Sequence, residues 1–253
     1  MIQKIKKYGF FTKGFVYVIL GLLTFLAAIE MGGKVADKNA VITFLEDQMF
    51  GKVLLFIISL GLLSYAIWRF YKSYLVIKEK KDNQKYFISI DFFFRGIIYS
   101  SFAISILYKV INQERNGFSR NTLAEKILAT NYGQIILFGI ALIIFFSAIN
   151  QFYIVYKKAF LKDINKNKNI ESFTFLERSG KFGITSSGIS FLIFAYFIFR
   201  ASLENAPEKI RGTEGMFNYL HDLTFGNILM AIMALGFLSY GIFQYFYGRY
   251  SNS

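Results

Sequence analysis

The chain contains the same unit three times, and each copy is long enough to cross a bilayer twice. Lys13-Gly14-Phe15-Val16-Tyr17 is matched by Arg95-Gly96-Ile97-Ile98-Tyr99 and by Ser187-Gly188-Ile189-Ser190-Phe191. A second glycine follows each of them, Gly51, Gly133 and Gly226, at spacings of 37, 37 and 38 positions. The copies close alike, on Tyr65-Ala66-Ile67-Trp68-Arg69, Ser147-Ala148-Ile149-Asn150-Gln151 and Tyr240-Gly241-Ile242-Phe243-Gln244. A fixed period of this kind marks one structural unit reused along the chain. The unit holds two apolar segments, so three copies make an all-α polytopic membrane protein of six transmembrane helices. The expected spans are 10–31, 52–77, 88–111, 134–156, 180–203 and 226–248. The repeats are expected at 1–77, 78–157 and 158–253, within one membrane domain.

Composition agrees with the repeat. Apolar residues make up 55% of the 253 positions, more than a soluble domain of this length needs. Cysteine is absent, which excludes disulfides, thiolate metal sites and cysteine nucleophiles. The third span is the shortest in uncharged length, because Arg95 and Lys109 bracket about 20 Å of helix against a hydrocarbon core of about 30 Å. Either both side chains snorkel outward or the bilayer thins locally.

Charge sets the orientation. Of 29 Lys and Arg, 19 fall on the side that holds the N-terminal arm, the two long loops and Arg249, and 10 on the other. The richer side is expected in the cytoplasm, with both termini inside. The first segment has the charge and length of a secretory leader, but it matches the third and fifth spans and is read as a retained helix. The basic loops, Lys78 to Lys85 and Lys157 to Lys168, are expected to contact anionic lipid. They also suit a membrane or cytoplasmic protein partner. No aromatic and basic platform for nucleic acid is evident.

Two crossings per unit make the repeats parallel, which predicts a pseudo-threefold bundle around the membrane normal. Small residues recur at matched positions. Gly14 and Gly21 align with Gly96 and Ala103, and with Gly188 and Ala195; Ser59 and Ala66 align with Ala141 and Ala148, and with Ala234 and Gly241. Residues seven apart share a helix face. Lipid is as apolar as leucine, so such faces join helices by close approach. Three short periodic segments, 40–45, 123–128 and 216–220, precede the second glycines. They are expected as helices in the outer interface with the apolar side inward.

Lys13-Gly14-Phe15-Val16-Tyr17 with Leu20-Gly21-Leu22, and Gly61 through Arg69, resemble a bacterial membrane family known as domain of unknown function 1206. That family is described as three copies of a two-helix unit, and the resemblance covers nearly the whole chain. It is strongest in the first repeat. In the second, Trp68-Arg69 becomes Asn150-Gln151; in the third it is Phe243-Gln244, and Lys13 becomes Ser187. The resemblance implies the six-helix fold and a bacterial inner membrane, and it brings no catalytic residues.

Chemistry is sparse in this reading. No Asp or Glu falls in the middle of a span, which argues against a proton-coupled transporter. His221, the only histidine, adjoins Asp222 but points elsewhere on a helix, and is expected to be solvated. The cluster Thr185, Ser186, Ser187 and Ser190 has no general base and is expected to bond to helix carbonyls. Arg69, Gln151 and Gln244 hold equivalent places near the inner ends of the even spans. They form either a polar ring at a cytoplasmic mouth or, as is more usual, three side chains snorkelling to headgroups. No catalytic, metal or cofactor residues are assigned. The reading is a non-enzymatic membrane scaffold or partner-binding protein, and its alternative is a small passive transporter or channel along the pseudo-axis.

Overall fold

A computed structural model describes residues 2–31, 38–79, 84–112, 125–162, 164 and 173–251. Among the described residues, eight α-helices of defined extent carry the fold: α1 (Ile2–Ala28), α2 (Lys38–Glu46), α3 (Gly51–Glu79), α4 (Gln84–Asn112), α5 (Gly133–Tyr156), α6 (Phe173–Glu204), α7 (Thr213–His221) and α8 (Gly226–Tyr250). Six of them, all but α2 and α7, are long and apolar enough to cross a membrane. The only β pairing among the described residues is an isolated bridge between Ile164 and Ser251. A buried backbone in lipid must satisfy itself, and a helix does so within one segment. The one proline, Pro207, lies between α6 and α7, where it breaks neither.

The long helices outrun the expected spans. α1 begins at Ile2, eight residues before the apolar run, and α4 and α6 also start early. Charge did not end these helices, because their polar residues find partners. Lys6, on the extra turns of α1, lies 5.0 Å from the Trp68 ring and 5.5 Å from Tyr247.

Two of the short helices appear as expected. α2 buries Val41, Ile42 and Leu45, and α7 buries Met216, Phe217 and Leu220. The third shows a helical turn over 125–128, and its first residues lie outside the described ones, as does much of both basic loops. At the corners into α3 and α8 the left-handed backbone falls on Phe50 and Phe225, not on the glycine that follows. The glycines serve close approach: a Cβ at Gly51, Gly133 or Gly226 would run into a carbonyl oxygen of the preceding short helical segment.

Packing is closest between α1 and α8, α3 and α4, and α5 and α6, so each repeat's first helix lies against the previous repeat's last. All twelve small residues of the matched stripes are buried. At the first interface they meet directly. A Cβ at Gly14 would sit 2.7 Å from the Gly241 oxygen, and one at Gly241 would sit 2.6 Å from the Gly14 oxygen. Hydrogen bonds reinforce the other two: Ser73 and Ser89 share a buried hydroxyl contact of 2.7 Å between α3 and α4, and Ser202 donates to the Gln134 carbonyl at 2.7 Å between α6 and α5. Within the repeats, α1 packs on α3 and α6 on α8, whereas α4 and α5 are not among the closely packed pairs.

Candidate functional site: a buried cation and tyrosine cluster

Lys13 lies about 16 Å along α1 from its start and is 1% exposed. Its ammonium donates to the hydroxyls of Tyr65 on α3, at 2.9 Å, and Tyr240 on α8, at 2.8 Å. It also lies within 6 Å of four aromatic ring centres: Tyr17, Tyr65, Tyr99 and Tyr240. An ammonium out of water needs such surroundings, and a desolvated cation over an aromatic face gains about 2 kcal/mol.

Arg69, one turn beyond Tyr65 on α3, approaches the same hydroxyl from the other side. Its Nε donates at 2.7 Å, and Nη2 donates to the same oxygen. Its guanidinium lies over Phe10, Tyr65 and Phe92. Tyr65 is fully buried, and its oxygen accepts from both cations.

Arg95, the position on α4 that matches Lys13, forms the second half of the cluster. Its Nε donates to Asp91 at 2.9 Å, and the other Asp91 oxygen accepts from Ser147 on α5 at 2.6 Å. The Gln151 amide lies 3.1 and 3.2 Å from the two terminal nitrogens of Arg95, and with its oxygen on that side it accepts both. Arg95 also sits over the Phe191 ring of α6.

Arg95 therefore does not snorkel. It is 9% exposed and faces the bundle interior, because Asp91 and Gln151 hold it there. Lys109, the other cation bracketing that span, pairs with Glu46 of α2 at 2.6 Å. Asp91 falls near the inner end of the expected third span, 88–111. With α4 starting at Gln84 it lies two turns inside a helix, its side chain 12% exposed.

Of the three matched polar residues, Gln151 and Gln244 are 4% exposed and so do not reach headgroups, and Arg69 is half-buried. Their hydrogen bonds run to other groups, Arg69 to Tyr65 and Gln151 to Arg95. The Gln244 amide oxygen is buried without a hydrogen-bond partner. His221 is exposed, 3.8 Å from Asp222. Ser190 bonds to the Ser186 carbonyl at 2.9 Å, as expected of a helical serine.

Between these groups lies a cavity of about 150 Å³. Its polar wall includes Lys13, Tyr17, Asp91, Arg95, Tyr99, Ser147, Ser187, Ser190, Thr213 and Tyr240, and its apolar wall includes Phe94, Ile98, Ile144, Phe191 and Phe194. Tyr240 accepts from Lys13, so its own hydroxyl proton points elsewhere, and Tyr240 lines the cavity. Lys13, Arg95, Tyr240 and Ser187 are thus hydrogen-bond donors around one small space.

Six apolar helices around a buried polar centre define a multi-pass membrane protein with an internal ionic site. The chain belongs to the family described as Domain of Unknown Function (DUF1206), whose model matches residues 8–75 and 182–251. Those segments hold most of the first and third repeats; the second, which carries Asp91, Arg95 and Ser147, lies outside the match. An "Uncharacterized protein YxxB" of Bacillus subtilis (strain 168) is 30% identical over 261 residues, covering 99% of this chain and 92% of that protein. No solved structure matches.

Proposed function

We propose that this protein binds an anion at the centre of its bundle and provides it with a passive path through a bacterial cytoplasmic membrane. The observation that carries this is the buried pair Lys13 and Arg95 facing a cavity of about 150 Å³ lined by hydroxyl donors. Ionisable groups are costly inside a membrane and are retained there chiefly for function. A scaffold needs only helices that pack, and its centre closes with apolar side chains at no such cost. The cavity walls carry two cations against one carboxylate, with Arg69 behind Tyr65 adding a third positive charge. Such a field favours an anionic guest.

In this reading the hairpins are three parallel repeats with pseudo-threefold symmetry. The matched positions support it: Gly96 faces Phe70, Gly188 faces the equivalent Phe152, and Gly14 faces the backbone at the equivalent Tyr245. Both termini are cytoplasmic, with anionic lipid at the basic loops. The protein is not an enzyme and uses no metal or cofactor.

Liposomes containing the purified protein test the reading. Acetate or inorganic phosphate should leave them faster than it leaves empty liposomes, and Lys13→Met should return the rate to background. Efflux equal to that of empty liposomes, or efflux indifferent to Lys13→Met in a correctly folded variant, would remove it.

A further inference from the structure

We propose that the cavity opens sideways to the bilayer between α4 and α5, and that its ligand is an anionic amphiphile. The oxyanion head sits against Lys13 and Arg95, and the hydrocarbon tail stays in the gap. This rests on the anion-binding reading and adds the source of the ligand and its route.

The three repeats provide the comparison. In the first, Gly9 admits the Tyr65 backbone, where a Cβ would come within 2.5 Å of the Tyr65 Cα, and Gly61 admits Thr12. In the third, Gly183 and Tyr240, and Gly236 and Ser186, make the same two contacts. These glycines draw α1 onto α3 and α6 onto α8. In the second repeat the matching positions are Asp91 and Ser147, and Ile143 and Phe94. Full side chains replace both glycines where even a methyl group clashes in the other repeats. The helices must stand further apart, and α4 and α5 are the hairpin without close packing. One polar bridge, Ser147 to Asp91, spans the gap.

The cavity wall follows that gap. Phe94 and Ile98 of α4 and Ile144 of α5 line it, and Ile98 is also 43% exposed at the outer surface of the helix bundle. The space thus runs from a cationic inner end to an apolar mouth at the depth of the lipid tails. The direction of the basic end is filled instead: Arg69 lies within 6 Å of the Phe10 and Phe92 ring centres, and Lys6 within 6 Å of those of Trp68 and Tyr247. A ligand dissolved in the bilayer has a shorter way in than one dissolved in water. Size sets the head. A cavity of about 150 Å³ accommodates a group of about six heavy atoms, which suits a phosphate monoester or a carboxylate.

Three probes separate the possibilities in phosphatidylcholine nanodiscs, with bound molecules counted by native mass spectrometry. Dodecyl phosphate has head and tail, inorganic phosphate the head alone, and dodecanol the tail alone. Dodecyl phosphate should bind at least about tenfold more tightly than either of the others, since tail burial adds to the ionic contact. Lys13→Met should abolish its binding. Ile98→Trp with Ile144→Trp, which fills the gap, should exclude dodecyl phosphate, and an unchanged monodisperse peak and melting temperature in detergent show that the variant is folded. Equal binding of the two phosphates, with the double tryptophan variant changing neither, overturns the lateral route and leaves the anion site standing. Dodecanol binding as well as dodecyl phosphate, or no effect of Lys13→Met on either phosphate, overturns both.

Discussion

Asp91 and Ser147 meet between α4 and α5 at 2.6 Å, in the place where the first repeat sets Gly9 against Tyr65 and the third sets Gly183 against Tyr240. A pair of polar side chains has replaced a glycine and a tyrosine. The exchange does two things at once: it widens one hairpin of three, and it provides the carboxylate that holds Arg95 inside the bundle.

Removing that carboxylate should be costly. Asp91→Ala leaves the Arg95 guanidinium buried with Gln151 and the Phe191 ring. Breaking a buried pair from one side costs about 3–5 kcal/mol. Taking both charges away avoids the stranded ion, so Asp91→Ala with Arg95→Met should recover most of the loss. Thermal unfolding in detergent reads both variants. A double variant as unstable as Asp91→Ala alone would show that the two residues are not coupled.

Tyr65 and Tyr240 both accept from Lys13, yet they should not be equivalent. The Tyr65 oxygen also takes Arg69, so Tyr65→Phe removes the acceptor of two cations, whereas Tyr240→Phe removes one of two acceptors from Lys13. Each buried donor left unsatisfied costs about 1–3 kcal/mol. Tyr65→Phe should therefore lower the melting temperature more than Tyr240→Phe, and Arg69→Met should remove part of the difference.

The helices and their small-residue faces were legible because hydropathy and small-residue spacing are local properties of a segment. Gly14 and Gly21 on one helix, and Ala234 and Gly241 on another, could be read in advance as packing faces for that reason, whereas their meeting in one seam comes from the structure. The ionic site was not legible in that way. A hydropathy window treats Lys13, Arg69, Asp91 and Arg95 as flanking charges, since each lies toward the basic end of its apolar run. Whether such a charge turns outward or inward depends on helix rotation, which only the neighbours decide. The repeat itself did carry a signal. Aligned by their glycines, the copies place Lys13 with Arg95 and Ser187, Tyr65 with Ser147 and Tyr240, and Gly9 with Asp91 and Gly183. Bulk gained at one position of the second repeat coincides with bulk lost at another, as contacting residues require.

The α1 and α8 seam gives a sharp steric prediction. Gly14→Leu puts a branched side chain where even a Cβ lies 2.7 Å from the Gly241 oxygen, and backbone cannot yield as a flexible side chain can. Overpacking of this kind costs about 1–3 kcal/mol or more, and most of the protein should be lost from the monodisperse peak in detergent. Gly139→Leu is the control. Nothing lies within 4 Å of a Cβ there, so the same change on α5 should leave yield and melting temperature unaltered.

The absence of cysteine makes the orientation directly testable, because the chain has no background labelling. Lys4, in the N-terminal arm, and Asp47, beyond α2, are both exposed and lie at opposite ends of the first repeat's helices. The excess of Lys and Arg on the side of Lys4 predicts that this side faces the cytoplasm. A membrane-impermeant maleimide added to intact cells, or to spheroplasts if an outer membrane is present, should label Asp47→Cys and spare Lys4→Cys. Permeabilised cells should label both. If Lys4→Cys is labelled in the intact cells, the topology is inverted. The Lys6, Arg69 and Lys13 end of the cluster would then face the outside.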